Sequence, residues 1–347
     1  MDNNTNQPTP QNIMQIGTAF WPSKVLLTAV KFELFTLLAS QKSMTGAEIK
    51  KALSFQATDR HVYDFLDLLT GLGFLIRDGI WDTAKYSNSV DTDTFLDKNK
   101  PSYIGGILEM ANDRLFRFWA DLDEALLSGK PQNELKHSGK SMFEELYSDS
   151  ARLKQFIHAM SGISVGNFMA LANQFDFSPY KTLCDVGGAA GVLSIQVAKH
   201  NPHMSCTTLD LPAVETIAKE TIAAQGMSDK VKTGSVDFFT DEFPKADVIT
   251  MGMILHDWDL ENKKMLIKKA YNALPEGGAF IAVEAIIDDE RKKNVFGLSM
   301  SLNMLIEFGV AFDFTGADFE SWVKEAGFKK VTIMPLAGPA SAAIAIK

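Results

Sequence analysis

The chain has 347 residues, 46% hydrophobic and 22% charged, which is long enough and ordinary enough in composition for two globular domains. Its net charge of −9 argues against nucleic acid or an anionic membrane as a partner, and no apolar run approaches the ~20 residues that span a bilayer. The first dozen residues are polar, so no signal peptide is expected; the two cysteines, Cys184 and Cys206, sit in apolar strand patterns as reduced core thiols, and a cytoplasmic location is expected.

In chain order, residues 1–12, with Pro8 and Pro10, read as a disordered tail. From Ile13 to about Ser40 a helical pattern carries Phe20, Val25, Leu26, Ala29, Phe32, Phe35 and Leu38. Thr45, with Glu48 three places on, caps a short helix, and Thr58 opens another that runs to Leu72. Phe74 to Ile76 and Ile80-Trp81, around Asp78-Gly79, predict a hairpin with a two-residue turn. Helices followed by a hairpin make a winged helix, expected over 13–100. A winged helix admits a DNA-binding regulator as a rival reading, but the helix from Thr58 carries only Arg60 and His61 against Asp59, Asp64 and Asp67. The apolar residues Phe20, Trp21, Leu26 and Leu27 instead predict a homodimer. Helical patterns over 102–127 and 150–175 predict a bridge over 101–178 that lines a small-molecule acceptor site.

The last segment, 179–347, alternates strands ending at Val186, Leu209, Gly234, Met251 and Glu284 with helices, the rhythm of a doubly wound parallel sheet. A final pair, Lys329 to Pro335 and Ala342 to Ile346, is too close for a crossover helix, so one antiparallel strand is expected at the end of the sheet. Within this domain, Leu183-Cys184-Asp185-Val186-Gly187-Gly188-Ala189-Ala190-Gly191 reads as a buried strand, a glycine turn and a helix start. Asp210 follows 25 positions after Asp185 at the tip of the next strand, where a ribose diol is held. The pair fits a dinucleotide or S-adenosylmethionine. Asp185 beside the turn favours the second, because a carboxylate there repels a pyrophosphate and tolerates a cationic amino-acid or sulfonium group. A glycine turn that binds nothing is the plain alternative.

Further on, Ala246 to Met251 leads into Ile254-Leu255-His256-Asp257-Trp258, and a helix closes at Leu274-Pro275-Glu276-Gly277-Gly278. With Asp185-Val186-Gly187-Gly188, Asp210-Leu211-Pro212 and Asp237-Phe238-Phe239 before Pro244, these segments resemble the small-molecule O-methyltransferases of the plant caffeic-acid type and their bacterial acetylserotonin and hydroxyneurosporene relatives. The resemblance runs through almost the whole chain. It implies an N-terminal dimerisation module, a methyltransferase sheet and S-adenosylmethionine as cofactor, with no metal. It also implies cofactor contacts from Asp185, Gly187, Gly188, Asp210, Leu211, Asp237, Phe238 and Trp258: Asp210 on the ribose, Asp237 on the adenine amino group, and Phe238 and Trp258 on the ring. His256 becomes the base that takes the proton of a phenolic or hydroxyquinone-like acceptor. Glu284, 28 residues later, and Asp313, in place of the family's Glu, become its carboxylate partners. Phe156, Met160, Asn303, Glu307 and Phe308 are expected at the acceptor. Two departures stand out: Gly252 where many relatives carry Lys, and the divergent stretch from Glu307 to Phe314. Transfer to carbon or nitrogen, or cofactor binding without methyl transfer, remains open on the same fold.

Overall fold

The computed structural model describes residues 8–139, 146–147 and 149–347, and the chain forms two compact units that divide between Leu115 and Phe116, inside the segment expected as a bridge. The first unit contains α1 (Gln11–Gly17), α2 (Phe20–Lys31), α3 (Leu34–Gln41), β1 (Met44–Thr45), α4 (Gly46–Ala52), α5 (Asp59–Gly71), β2 (Leu75–Asp78), β3 (Lys85–Asn88), α6 (Val90–Phe95) and α7 (Gly105–Met110). Residues 1–7 of the expected tail lie outside the described residues, and α1 already includes Gln11 and Asn12. Thr45 and Glu48 form a reciprocal capping box on α4, and the Thr58 hydroxyl caps α5.

The hairpin differs from its prediction. Leu75 pairs with Asn88 and Asp78 with Lys85, so residues 79–84 connect the strands instead of two. Ile80 and Trp81 leave the sheet because the Trp81 ring packs edge-on against Tyr63, 6.1 Å between centroids, with the Arg60 guanidinium 4.5 Å over it. Arg60 also pairs with Asp64 at 3.1 Å. β1 adds to β3 and completes a three-stranded antiparallel wing. Leu27 is buried and Leu26 packs against this unit's core, whereas Phe20 and Trp21 are 53% and 60% exposed, and Ile13 and Ile16 are exposed as well.

The second unit contains α8 (Phe116–Phe118), α9 (Leu122–Ser128), α10 (Glu134–Ser138), α11 (Ser150–Gln174), β4 (Thr182–Val186), α12 (Val192–His200), β5 (Ser205–Asp210), α13 (Pro212–Ala224), β6 (Val231–Ser235), β7 (Val248–Gly252), α14 (Leu260–Ala273), β8 (Ala279–Glu284), α15 (Val295–Phe308), α16 (Gly316–Ala326), β9 (Lys330–Pro335) and β10 (Ser341–Ile346). The helical pattern expected over 102–127 is broken by a π turn at Ala111–Leu115 and a 3-10 turn at Trp119–Asp121. The sheet order is β6-β5-β4-β7-β8-β10-β9. β10 runs antiparallel to both β8 and β9. The reversed strand is therefore the last in the chain but sits one place in from the edge, which β9 forms.

Successive strand residues face opposite layers. Cys184, Ile249, Met251 and Phe280 meet α14 and α16, while Leu183, Cys206, Val248 and Ile281 meet α11, α12 and α13. Truncating a fully buried ring such as Phe280 costs ~3–5 kcal/mol, and this packing fixes the strand ends rigidly. The carboxyl ends of β5, β4, β7 and β8 are neighbours, so the segments that leave them share one rim.

Candidate active site

β4 brings Asp185 into register with Thr208 on β5 and Thr250 on β7. Its side chain is 1% exposed and underlies the glycine turn. Oδ1 accepts from the Thr250 hydroxyl at 2.7 Å, while Oδ2 has no hydrogen-bond partner among the described residues. Burial pushes this carboxyl up to about 7, with the Thr250 hydroxyl opposing. A β-carbon at Gly188 would lie 2.1 Å from Thr208 Oγ1 and 2.6 Å from Asp185 Oδ2. Gly187 has φ +71°, and a β-carbon there would lie 2.4 Å from Ile254 Cδ1. The turn thus exposes backbone because no side chain fits. It is sewn to the next strand: the amides of Gly187 and Gly188 donate to the Leu209 carbonyl at 2.8 and 3.0 Å. Asp210 holds it from the tip of β5, accepting from Ala189 N at 2.9 Å and Leu211 N at 2.7 Å. Burial raises the Asp210 pKa against the pull of those amides.

The loop after β6 carries Asp237 and Phe238. Phe238, Phe239 and Trp258 form an edge-to-face cluster, with Phe238 and Phe239 lying 5.8 and 4.6 Å from the indole. Asp237 accepts from the Phe239 amide at 3.0 Å. Lys269 of α14 ties the loop down, donating to the carbonyls of Phe238, Phe239 and Asp241 at 2.9–3.1 Å.

Past β7 the chain turns at Met253, whose φ of +58° is rare for a non-glycine residue, and His256 follows on a 3-10 turn at Leu255–Asp257. His256 is 4% exposed. Its Nδ1 lies 3.4 Å from Asp313 Oδ1 and 3.9 Å from Glu284 Oε2, and its Nε2 lies 3.3 Å from Asp257 Oδ1. Asp313, reached in the sequence only through the divergent stretch, is thus closer to the imidazole than Glu284. The Glu284 carboxylate has a further role, since Oε1 accepts from the amides of Ile254 and Leu255 at 3.1 and 3.0 Å and fixes the turn that carries His256. Asp313 is set by a side-chain contact to α15 and by the cap of α16 that follows it. Its amide donates to Ser301 Oγ at 3.2 Å, and Thr315 closes a capping box with Asp318 at the start of α16. Ligand atoms of His256, Glu284 and Asp313 lie within 4.8 Å of one another, close enough to share one small cation, and the imidazole proton meets that need. Burial alone would lower the His256 pKa; Glu284, Asp257 and Asp313 overcome it and push it up to about 10. Burial raises Glu284 to about 7 and Asp257 to about 6, with the imidazolium opposing in both cases.

The residues expected at the acceptor fall in several places. Glu307 is 5% exposed, so its carboxylate is buried on α15. Its Oε2 and its backbone carbonyl both accept from Asn133 Nδ2, at 3.0 and 2.8 Å. Asn303 accepts from Trp119 Nε1 at 2.9 Å and so orients that indole. Phe308 is half-buried at the end of α15. Phe156 packs near the glycine turn, in a cluster with Leu153, Ile157 and Ala190, and Met160 is half-buried one turn further along α11. At Gly252 a β-carbon would approach the Phe168 ring to 3.1 Å, so this aromatic occupies the room that a longer residue would need. Sequence reasoning missed Asn133, Lys269 and Lys263. Lys263 is fully buried, and its signal was visible: it stands in helical register with Leu266, Ile267 and Ala270 on the buried stripe of α14.

Residues 119–329 match the O-methyltransferase domain model, and residues 14–98 match the O-methyltransferase dimerisation domain. The chain is 36% identical to the tetracenomycin polyketide synthesis 8-O-methyl transferase TcmO of Streptomyces glaucescens, over 100% of this chain and 99% of that protein. It is 30% identical to the 3-hydroxy-5-methyl-1-naphthoate 3-O-methyltransferase of Streptomyces sahachiroi, over 95% and 92%. Its fold superposes on human N-acetylserotonin methyltransferase in complex with S-adenosylmethionine with a TM-score of 0.89, at 23% identity and coverage of 100% and 99%. No helix among the described residues is long and apolar enough to cross a membrane. The chain belongs to the O-methyltransferase family, and it is a methyltransferase that uses S-adenosylmethionine.

Proposed function

We propose that the protein methylates a hydroxyl oxygen on a flat, fused-ring aromatic molecule, with His256 as the base. The observation that carries this is the buried imidazole between Asp313 and Glu284 on one nitrogen and Asp257 on the other. Relatives named for tetracenomycin and hydroxynaphthoate methylation support the choice of acceptor class.

When bound, S-adenosylmethionine would supply an electrophilic methyl carbon that an oxygen nucleophile attacks in line, the C–S bond breaking and S-adenosylhomocysteine leaving. The residues at the rim fit it. Gly187 and Gly188 leave the backbone bare where any β-carbon would collide, Asp210 presents a carboxylate to a ribose diol, and Asp237 with Phe238 and Trp258 receives the adenine. Asp185 acts from beneath, supporting the turn. On the acceptor side, His256 Nε2 receives the hydroxyl proton while Asp313 and Glu284 stabilise the imidazolium that forms. Asp257 places a carboxylate beside the base, Glu307 faces Asp257, and Asn303 sets Trp119 through its side-chain amide. The surrounding carboxylates raise the proton affinity of the imidazole towards that of a phenol, whose pKa is near 10, which lowers the cost of the transfer.

The test is incubation with deuteriomethyl-labelled cofactor and a panel of hydroxylated naphthalenes and anthraquinones, read by mass spectrometry. A labelled methyl ether is expected; labelled product on carbon or nitrogen only, or none with cofactor bound, would overturn the reading.

The 14–98 dimerisation domain and the exposed Ile13, Ile16, Phe20 and Trp21 support a homodimer. Light scattering after size exclusion should give twice the 38.2 kDa chain mass at micromolar concentration, and the single-chain mass would contradict it. Cys184 and Cys206 are buried free thiols, pushed up to about 12 chiefly by burial, which suits the cytoplasm.

A further inference from the structure

Lys263 is 0% exposed, and nothing described so far requires a buried ammonium there. It sits in the first turns of α14, where the helix dipole disfavours a cation, and burial penalises its charge further. Two contacts hold the ammonium. It donates to the carbonyl of Trp258, at the end of the turn that carries His256, and it lies 3.7 Å from the centre of the Phe312 ring, next to Asp313. One side chain therefore spans the two segments that bring imidazole and carboxylate together.

The charges facing it come from every neighbouring segment: Asp257 and Asp259 from the turn after β7, Glu284 from the end of β8 and Asp313 from the loop before α16. Asp257, Glu284 and Asp313 also face His256, and Glu307 of α15 and Tyr147 face Asp257. An imidazole among so many carboxylates holds its proton firmly, and an imidazole already protonated is no base.

We propose that Lys263 is a positioning residue that offsets one carboxylate of this cluster and clamps the Asp313 loop to the His256 turn, so that His256 can release its proton when the acceptor binds. This rests on the assignment of His256 as the base. Burial lowers the Lys263 pKa to about 8 against the pull of Glu284, Asp313, Asp257 and Asp259, so the offset is itself lost in mildly alkaline solution.

Lys263→Met and Lys263→Arg, measured in the full-length enzyme, test the proposal. Removing one charge at this range alters proton affinity by on the order of one pKa unit. Lys263→Met should therefore lower kcat/KM roughly tenfold at pH 7, with kcat and cofactor affinity nearly unchanged. The deficit should close above pH 8, where the wild-type lysine is also neutral, and Lys263→Arg should keep its advantage over Lys263→Met through pH 9. A deficit constant across pH would leave only a structural role and overturn the proposal, as would wild-type kcat/KM at pH 7. If the methionine variant does not fold, the arginine profile alone decides. A readout without turnover separates this inference from the assignment of the base. With the folded pKa depressed, the unfolded chain binds the extra proton between pH 8 and 10.5, so the melting temperature of wild type relative to Lys263→Met should rise with pH across that window. A flat difference would mean that burial does not depress the Lys263 pKa, and the predicted closing of the deficit above pH 8 would fall with it, whatever the enzyme methylates.

Discussion

Replacing His256 by Ala should lower kcat by ~10²- to 10⁴-fold, the range for a positioned general base, while cofactor affinity changes little. The imidazole is held from both sides and from below: Asp313 Oδ1 stands 3.4 Å from Nδ1, Asp257 Oδ1 stands 3.3 Å from Nε2, and Glu284 fixes the turn through two amides. Those carboxylates raise the proton affinity of His256, so the free enzyme holds a proton in this site at neutral pH. A neutral hydroxyl that enters must displace that proton, and wild-type kcat/KM should rise with pH. The two carboxylates should separate by effect. Asp313→Asn removes the charge nearest Nδ1, whereas Glu284→Gln keeps an Oε1 that can still accept both amides. Assay of both variants at saturating acceptor should show the larger loss of kcat at Asp313.

Asp210→Ala should weaken S-adenosylmethionine binding by on the order of tenfold to a hundredfold in calorimetry, the loss of one or two charge-assisted hydrogen bonds. The structure adds a second reason for that loss. Both Asp210 oxygens already accept backbone amides, from Ala189 in the glycine turn and from Leu211 ahead of α13. The substitution frees the turn from β5 as well as removing the ribose partner. Asp210→Asn keeps the shape and one acceptor oxygen, so it should fall between Ala and wild type. Unchanged affinity in the alanine variant would remove Asp210 from the cofactor site.

The sheet was legible because β4, β7 and β8 are short, largely apolar runs and the strand ends that follow carry glycine or acidic residues. Strand ends at Val186, Met251 and Glu284 fall within one residue of their predicted places. Helix caps at Thr45 and Thr58 were legible for a local reason, since a capping oxygen bonds an amide only three residues away. The wing turn was misplaced because Asp78-Gly79 has the chemistry of a tight turn, and the packing of Trp81 on Tyr63 and Arg60 is invisible to a local rule. Position in the sheet was likewise hidden: an antiparallel pair at the chain end does not reveal which member lies at the edge. In the site, His256 and Glu284 were paired only through the family resemblance, and their division of labour was not legible. Which carboxylate touches the ring depends on tertiary placement of the loop that bears Asp313. Asn133 and Lys269 were missed because their bonds to Glu307 and to the Phe238 loop link residues distant in sequence.

The pH dependence of kcat at saturating acceptor, compared between wild type and His256→Ala, tests the central claim most directly. In the wild-type complex the hydroxyl proton already rests on His256 beside its carboxylates, so kcat should stay flat between pH 7 and 9. The variant must wait for a hydroxyl of pKa near 10 to ionise in solution or in the site, so its kcat should climb about tenfold per pH unit over the same range. The two curves should converge toward alkaline pH. Parallel curves, or a variant that matches wild type at pH 7, would contradict the account and show that His256 does not take the acceptor proton.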